Sequence, residues 1–498
     1  MGVLVKALQR SRARYPKTFE LALSVAFGIL IEIVILCFQP PLLVVRRVGD
    51  DTADQMIRLL EQTTYRMPTS PAFVFIDIDD STWKSWGSQL VTPRTNIAAI
   101  LERVARSEPL AIVLDVDLAY SDGTDEKPLK DFLAGYQSSW PPLLLVRSLA
   151  DDPDGGLPRL RLTQYDAAIG PRTVDADLVP AKDNVMFTSP LFERDRDGKV
   201  RRWKLFAEAC NGAAPEVVPS MHLAAAMIAR QSVHGAPAND KDPPLERMTK
   251  ALAAFTPANC ERANGGREGM LDSSPPPIRI ERDDVSKRVI YRVGWAPGAV
   301  GLGPIVELPA AAGGGQTQLV EVRPARLVAQ GDPKAALPGL KGRMVVIGGS
   351  FASGGDHYNT PLGVMPGSLM IINAIEALTQ NGTPREFPTL FRVAISLLVI
   401  IVASLLTLFF RPIVAAAALS GFLLMLMFAL LNRFQAGAVL DLAVPAVGAF
   451  VHDLWDSTVT MARDFWRLKW RWLLKPPPAG DGGAAPQHEA VAKEDGDG

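Results

Sequence analysis

Cysteine is scarce in this chain. Three in 498 residues exclude a disulfide-rich scaffold and leave no zinc-spaced Cys/His set. Histidine is nearly as rare, with five, so imidazole chemistry has few places to sit. Neither sign of charge dominates: 52 Lys and Arg face 53 Asp and Glu, a net charge of −1. Nothing draws the whole chain to nucleic acid or to anionic lipid, and no nucleic-acid partner is expected. There is no phosphate-cradling Gly-rich loop ending in Lys-Ser/Thr, no Gly-x-Ser-x-Gly elbow and no internal repeat. These absences leave no signature of the common nucleotide-hydrolysing, serine-hydrolase and zinc Cys/His classes. The expectation is a protein without a cofactor and without catalytic residues. Forty Gly and forty Pro indicate long loops, but 48% hydrophobic residues argue against disorder.

Long apolar runs are what the chain does have. Residues 19–38 form a run of spanning length, interrupted by Glu32 and preceded by Lys6, Arg10, Arg12, Arg14 and Lys17. Gln39-Pro40-Pro41 follows in place of a small-residue cleavage site, which favours an uncleaved anchor. Residues 390–410, 413–431 and 436–454 read as three further spans. After them come Arg463, Arg467, Lys469, Arg471 and Lys475, interleaved with Trp466, Trp470 and Trp472 in a juxtamembrane segment over 455–475. Four crossings put the basic 1–18 and this segment on the cytoplasmic side, with residues 39–389 outside. Residues 476–498 read as a disordered tail.

Between the anchor and the later spans the pattern is α/β. Asp50–Gln62 reads as an amphipathic helix. Phe73–Ile78, Ala111–Leu118, Leu143–Val146, Val185–Thr188, Val289–Val293, Leu319–Val322 and Met344–Gly348 read as strands, with helices at 93–105 and 220–229. Strand, helix and strand in about 45 residues imply parallel pairing. The fold class expected is therefore a mixed, largely parallel sheet with flanking helices, plus four transmembrane helices. Residues 231–277 turn to Pro, Asn, Gly and charge, an insertion carrying one helix at 245–255. Of the cysteines, Cys37 lies in the first span. Cys210 and Cys260 both lie in the outside part, either as a disulfide or as two free thiols.

Carboxylates gather where the predicted strands end. Asp77, Asp79 and Asp80 follow the first, Asp115 and Asp117 the second, and Asp356 the last, with His357 and Thr360 close behind. In open α/β sheets that edge takes ligands, here a cation or a ligand bearing an amine or hydroxyl. The competing reading is that these aspartates cap helices and turns. Whether a metal binds there stays open. The run Asp77-Ile78-Asp79-Asp80-Ser81 also resembles the opening of haloacid-dehalogenase-like phosphatases, where two aspartates share Mg²⁺ and one attacks phosphorus. Arg201 and Arg202 follow Asp197-Gly198. They either clamp an anion or pair with the domain's own acids on a hairpin.

Three patches together resemble the type-2 CHASE domain, the extracellular sensory module of bacterial cyclases and histidine kinases. The first is FVFIDIDDSTWKSWG (73–87) with Thr92-Pro93-Arg94 and AIVLDVDL (111–118). The second is FERDRDGKVRRWKLF (192–206). The third is Arg343–Leu378, with Asp356-His357, Thr360-Pro361-Leu362-Gly363, Met365-Pro366-Gly367 and Asn373-Ala374. Two positions depart from the family pattern: only Pro93-Arg94 remains of an aromatic Trp-Pro-Trp-Pro-Arg segment, and Ile372 stands where His is common. The resemblance adds Arg94 and Asn373 to the candidate ligand residues and implies a homodimer through the membrane helices.

It also implies a sensor in a bacterial inner membrane, its large domain in the periplasm and both termini in the cytoplasm. Only about 45 residues follow Leu454, too few for a kinase or cyclase, so output is expected through a separate partner. The alternative class is a structural subunit of an envelope complex that binds no small ligand.

Overall fold

The computed structural model describes residues 43–62, 72–121, 125–169, 183–235, 242–261, 267–281, 283–308, 310–435 and 437–439, with 25–26 and 29–30 besides. The expected first and last spans fall almost wholly outside the described residues. So do the basic 1–18 and the segments 455–475 and 476–498.

Short apolar runs bounded by turn residues build a seven-stranded sheet. Its strands are β1 (Phe73–Ile78), β2 (Ala111–Leu114), β3 (Leu143–Val146), β4 (Val185–Thr188), β7 (Gly301–Glu307), β8 (Gln316–Pro324) and β9 (Met344–Gly349). Across the sheet they run β7-β8-β1-β9-β2-β3-β4, all parallel except β7 against β8. The side-chain period of two sorts each strand between two cores. Phe73, Phe75, Val113, Met344 and Val346 face helices α1 (Leu43–Gln62), α5 (Met221–His234) and α8 (Gly367–Asn381). Val74, Ile76, Ile112, Leu114, Val345 and Ile347 face α3 (Arg94–Ala105), α4 (Lys127–Ala134) and α7 (Ala325–Ala329). Shorter helices are α2 (Asp80–Ser85), α6 (Pro244–Ala253) and a single turn at Asp166–Ile169.

Three expectations change. The strand expected over 111–118 stops at Leu114: Asp115 makes the last ladder bond, N–H to Ile347 O on β9 (2.8 Å), and no strand pairing follows it. Val289–Val293 is buried but is not a ladder strand. Val289 N–H goes to Arg201 O (2.8 Å), and the Asn373 amide brackets the end: its Oδ1 accepts from Arg292 and Val293 N–H (2.8 and 2.9 Å), its Nδ2 donates to Val293 O (3.0 Å). And β1 and β2, though parallel, are not neighbours, since β9 lies between them.

After α8 the chain enters α9 (Thr389–Phe409) and α10 (Pro412–Gln435). Ile413–Leu431, 19 residues of mean hydropathy 2.5, is the one described helix long and apolar enough to cross a membrane; Val393–Leu406 is a shorter apolar stretch. Leu390, Leu398, Phe409, Ile413, Met425 and Phe428 are exposed, a surface suited to lipid rather than water. Ile395 and Val399 of α9 and Leu430, Leu431 and Phe434 of α10 instead join the core that contains α1. Hence α10 returns to the domain that α9 leaves.

A β5/β6 hairpin, β5 (Phe192–Arg194) and β6 (Val200–Trp203), and a β10/β11 hairpin, β10 (His357–Thr360) and β11 (Gly363–Pro366), lie on the α1 side. Cys210 and Cys260 are bridged, with Cα atoms 5.9 Å apart, tying strand Phe206–Asn211 to the insertion. Removing the Asn373 amide strands buried N–H and C=O groups of the 292–293 backbone. Asn373→Ala is therefore expected to cost roughly 2–5 kcal/mol, read as a lower thermal midpoint of the full chain in mild detergent. An unchanged midpoint would contradict this bracket.

Candidate functional site

Register decides which carboxylates meet. Asp77 pairs with Gly348 across β1 and β9, and one step beyond the Ile347–Leu114 pair Gly348 lies beside Asp115. All three positions face the α8 side of the sheet. The row Asp77–Gly348–Asp115 thus places two carboxylates two strand spacings apart, roughly 10 Å between backbones, and the Ser368 hydroxyl occupies the place that the middle strand leaves open. Only glycine fits the middle: a Cβ on Gly348 would come within 1.9 Å of Ser368 Oγ and 3.3 Å of Asp115 Cβ. The helix after β1 covers one face of the sheet and the helix after β9 the other, so this is a topological switch point, where open α/β sheets leave a crevice.

Each carboxylate has one hydroxyl partner. Ser350 Oγ donates to Asp77 Oδ2 (2.7 Å), and Ser368 Oγ donates to Asp115 Oδ2 (2.7 Å). Asp77 is 4% exposed, and its Oδ1 is buried without a hydrogen bond. Burial, with Asp79 and Asp80 nearby, pushes Asp77 up to about 7. Burial and the Asp356 carboxylate push Asp115 the same way. Asp356 is raised by burial, although the Tyr358 hydroxyl and His357 oppose this; Tyr358 in turn is pushed up to about 12 by burial and by Asp356. Gly367, first residue of α8, must be glycine because a Cβ would lie 2.5 Å from an Asp356 oxygen. Two of these carboxylates, Asp115 through Ser368 and Asp356 beside Gly367, meet at the start of a 15-residue helix, with Asp77 two strands away on the same face. Burial favours the protonated form of these acids, and their oxygens offer acceptors to a hydroxyl or amine. Among the described residues no three His, Cys, Asp or Glu side chains are grouped to hold a metal.

A family model for the CHASE2 domain matches residues 27–409. The chain belongs to the CHASE2 family. Its fold is therefore that of an extracellular sensory domain of a membrane protein. Comparison with curated proteins returned no match, and neither did comparison with solved structures.

The other sequence candidates in the CHASE2 domain divide by position. Asp79 caps α2: its Oδ1 accepts from Thr82 N–H (2.7 Å) and both oxygens accept from Ser81 Oγ (2.9 Å). Burial works against it, but these bonds and Arg326 hold Asp79 below the usual carboxylate range. Asp80 accepts from Ala352 N–H, and Asp117 from Ala119 N–H two residues on. Only the first aspartate of each Asp-x-Asp pair stays on the sheet; the second serves a local turn. Arg94 is buried and donates to the carbonyls of Asp117 and Tyr120, shaping the loop after β2. Thr360 spends its hydroxyl on Gly363 O and Leu362 N–H inside the β10/β11 turn. Asn373 is committed to the 292–293 backbone, away from the crevice.

Arg201 and Arg202 form a second polar centre. Arg201, 2% exposed, grips Asp54 through Nε and Nη2 (both 2.9 Å), and Asp195 and Asp197 through Nη1 (both 2.9 Å). Arg202 and Arg288 both reach Asp50. The pairing with the domain's own acids therefore holds, but two of those acids belong to α1. Asp197 is held down at about 2 mainly by Arg201, against some burial. Sequence reasoning missed Ser350, Ser368 and Tyr358 at the crevice and Asp50 and Asp54 at the arginines. The four-residue spacing of the last two, on one face of an otherwise apolar helix stripe, was the available signal.

A folded-state value for Asp77 above that of the unfolded chain means that folding favours the protonated form. Its contribution is complete below about pH 4 and is lost as pH rises through about 7. Asp77→Asn is thus expected to stabilise the protein increasingly from about pH 5 to about pH 8, by up to about 1.4 kcal/mol per pH unit. Thermal midpoints of variant and wild type across that range check it; a difference that does not grow with pH contradicts it.

Proposed function

We propose that this chain is a non-enzymatic membrane sensor. Its CHASE2 domain takes a ligand or an envelope protein outside the membrane and passes the event through the membrane helices to a separate protein. One observation carries the reading: the β10/β11 hairpin touches the crevice and both membrane connections. At its start Asp356 and Tyr358 reach into the crevice. Midway, Pro361 O accepts from Arg58 Nε of α1 (3.0 Å), and Asn359 bridges to Lys199 of the arginine hairpin. At its end Pro366 leads directly into α8, which continues toward α9. A ligand that moves the hairpin therefore moves α1 and α8 together. Two such elements, each with alternative positions, are what a sensor needs to bias an equilibrium.

The phosphatase alternative requires Asp77 and Asp79 to share one metal. Asp79 instead turns into α2 with both oxygens engaged, which supports the non-enzymatic reading. The structural-subunit alternative predicts the same fold with an immobile hairpin.

Crosslinking the tagged full-length protein briefly in membranes and identifying the stoichiometric chains that co-purify tests the proposal. A partner bearing a kinase, cyclase or similar output domain is expected. A partner that is only an envelope structural or secretion component would transfer the case to the structural reading. Recovery of the chain alone, or only with itself, would overturn signalling through a separate partner.

A further inference from the structure

On the far side of the arginine hairpin from the crevice lies a cleft of about 340 Å³, within the size range of small-molecule sites. Its apolar walls are Trp203, Leu205, Phe206, Phe255 and Ile280. The Phe206 and Phe255 rings lie 5.1 Å apart, and Trp203 is fixed by a bond from its indole N–H to Ser286 O (3.2 Å). Lys204, Arg267, Arg279 and Lys287 line the same cleft against only Glu208 and Glu281, an excess of two positive charges in a chain of near-zero net charge. Two of these cations have only long ion contacts: Arg279 to Glu281 at 3.8 Å and Lys204 to Glu193 at 3.6 Å. Exposed pairs of that length contribute little, so an incoming anion displaces them at small cost.

We infer that this cleft binds a small organic anion, its aromatic or branched apolar body against Phe206 and Ile280, with the buried Trp203 and Phe255 behind them, and its carboxylate or phosphate held by Lys204, Arg279 and Lys287. Arginine and lysine around an aromatic floor suit such a ligand through charge and stacking together. The placement also gives the ligand a mechanical consequence, which rests on the sensory reading above. Trp203 directly follows Arg202, and Lys287 directly precedes Arg288. The two segments are joined by Trp203 N–H to Lys287 O (2.8 Å), and both arginines hold Asp50 of α1. An occupant of the cleft therefore bears on the two strands of residues that fasten α1.

The test is calorimetric titration of the full-length protein in mild detergent with 3-phenylpropionate, its neutral amide, phenyl phosphate and inorganic phosphate. Saturable binding of at least one aryl anion is expected, with the amide at least tenfold weaker. Lys287→Ala combined with Arg279→Ala should weaken the aryl anion at least tenfold, Glu208→Gln should tighten it, and Asp77→Asn in the crevice should leave it unchanged. Preference for carboxylate or phosphate among the aryl anions then names the headgroup. Equal binding of the amide, equal binding of inorganic phosphate, or no effect of the Lys287/Arg279 change would each overturn the inference. Anion binding that leaves backbone amide exchange in α1 unaltered would support the pocket while counting against the sensory coupling, so the two failures are distinguishable.

Discussion

A buried guanidinium holds helix α1 to the domain. Arg201 lies inside the protein, where an uncompensated charge costs several kcal/mol even after relaxation. Asp54 of α1 compensates it from one side, and Asp195 and Asp197 of its own hairpin from the other. Neither set suffices for all of the Arg201 donors, which point both ways. Detaching α1 therefore means hydrating Arg201, and breaking the neighbouring Asp50 contacts with Arg202 and Arg288 as well. Apolar contact adds to this: Met56, Ile57 and Leu60 of α1 sit in the same core as Leu430 and Phe434 of α10. The helix is held by a polar knot at one height and an apolar seam along its length. A knot of this kind has two defined states, paired or hydrated, and few between.

The sheet supplies the second constraint. β9 enters the middle of a sheet whose other parallel strands are already laid out, and its terminal Gly348 lets Ser368 approach between Asp77 and Asp115. The same strand end then yields Asp356, the β10/β11 hairpin and α8 in succession. One stretch of about thirty residues thus links the crevice, the arginine knot and the path to the membrane. Arg230 secures the far end of α8 by donating to Leu378 O while pairing with Asp272 (2.9 Å).

Much of this was legible in the sequence. Phe73–Ile78, Leu143–Val146 and Val185–Thr188 coincide with the expected strands because each is a predominantly apolar run closed by turn residues. The arginine hairpin was legible in Asp197-Gly198, with Gly198 at φ +82°. The order of strands was not, since period-two patterning says which face a residue takes but not which strand lies beside it. For that reason β9 between β1 and β2 had no local signal, and neither did the pairing of Asp54 with Arg201, 147 positions apart. Which aspartate of each pair leaves the sheet was not legible either: Asp79 and Asp117 accept from the N–H groups of Thr82 and Ala119 in the turns they begin. Strands 206–211 and 214–219, alternating and half-exposed, lack the apolar density that marked the central ones. The cationic cleft is assembled from separated segments, none of them unusual alone.

The most direct test of the arginine knot as the element that fastens α1 is amide hydrogen exchange on the full-length protein in lipid nanodiscs, comparing wild type with Arg201→Gln. The account predicts that α1 and the 192–203 hairpin lose protection together, by at least tenfold in exchange rate, while β1, β9 and β2 keep theirs. Unchanged protection in α1, or an equal loss across the whole sheet, would contradict it.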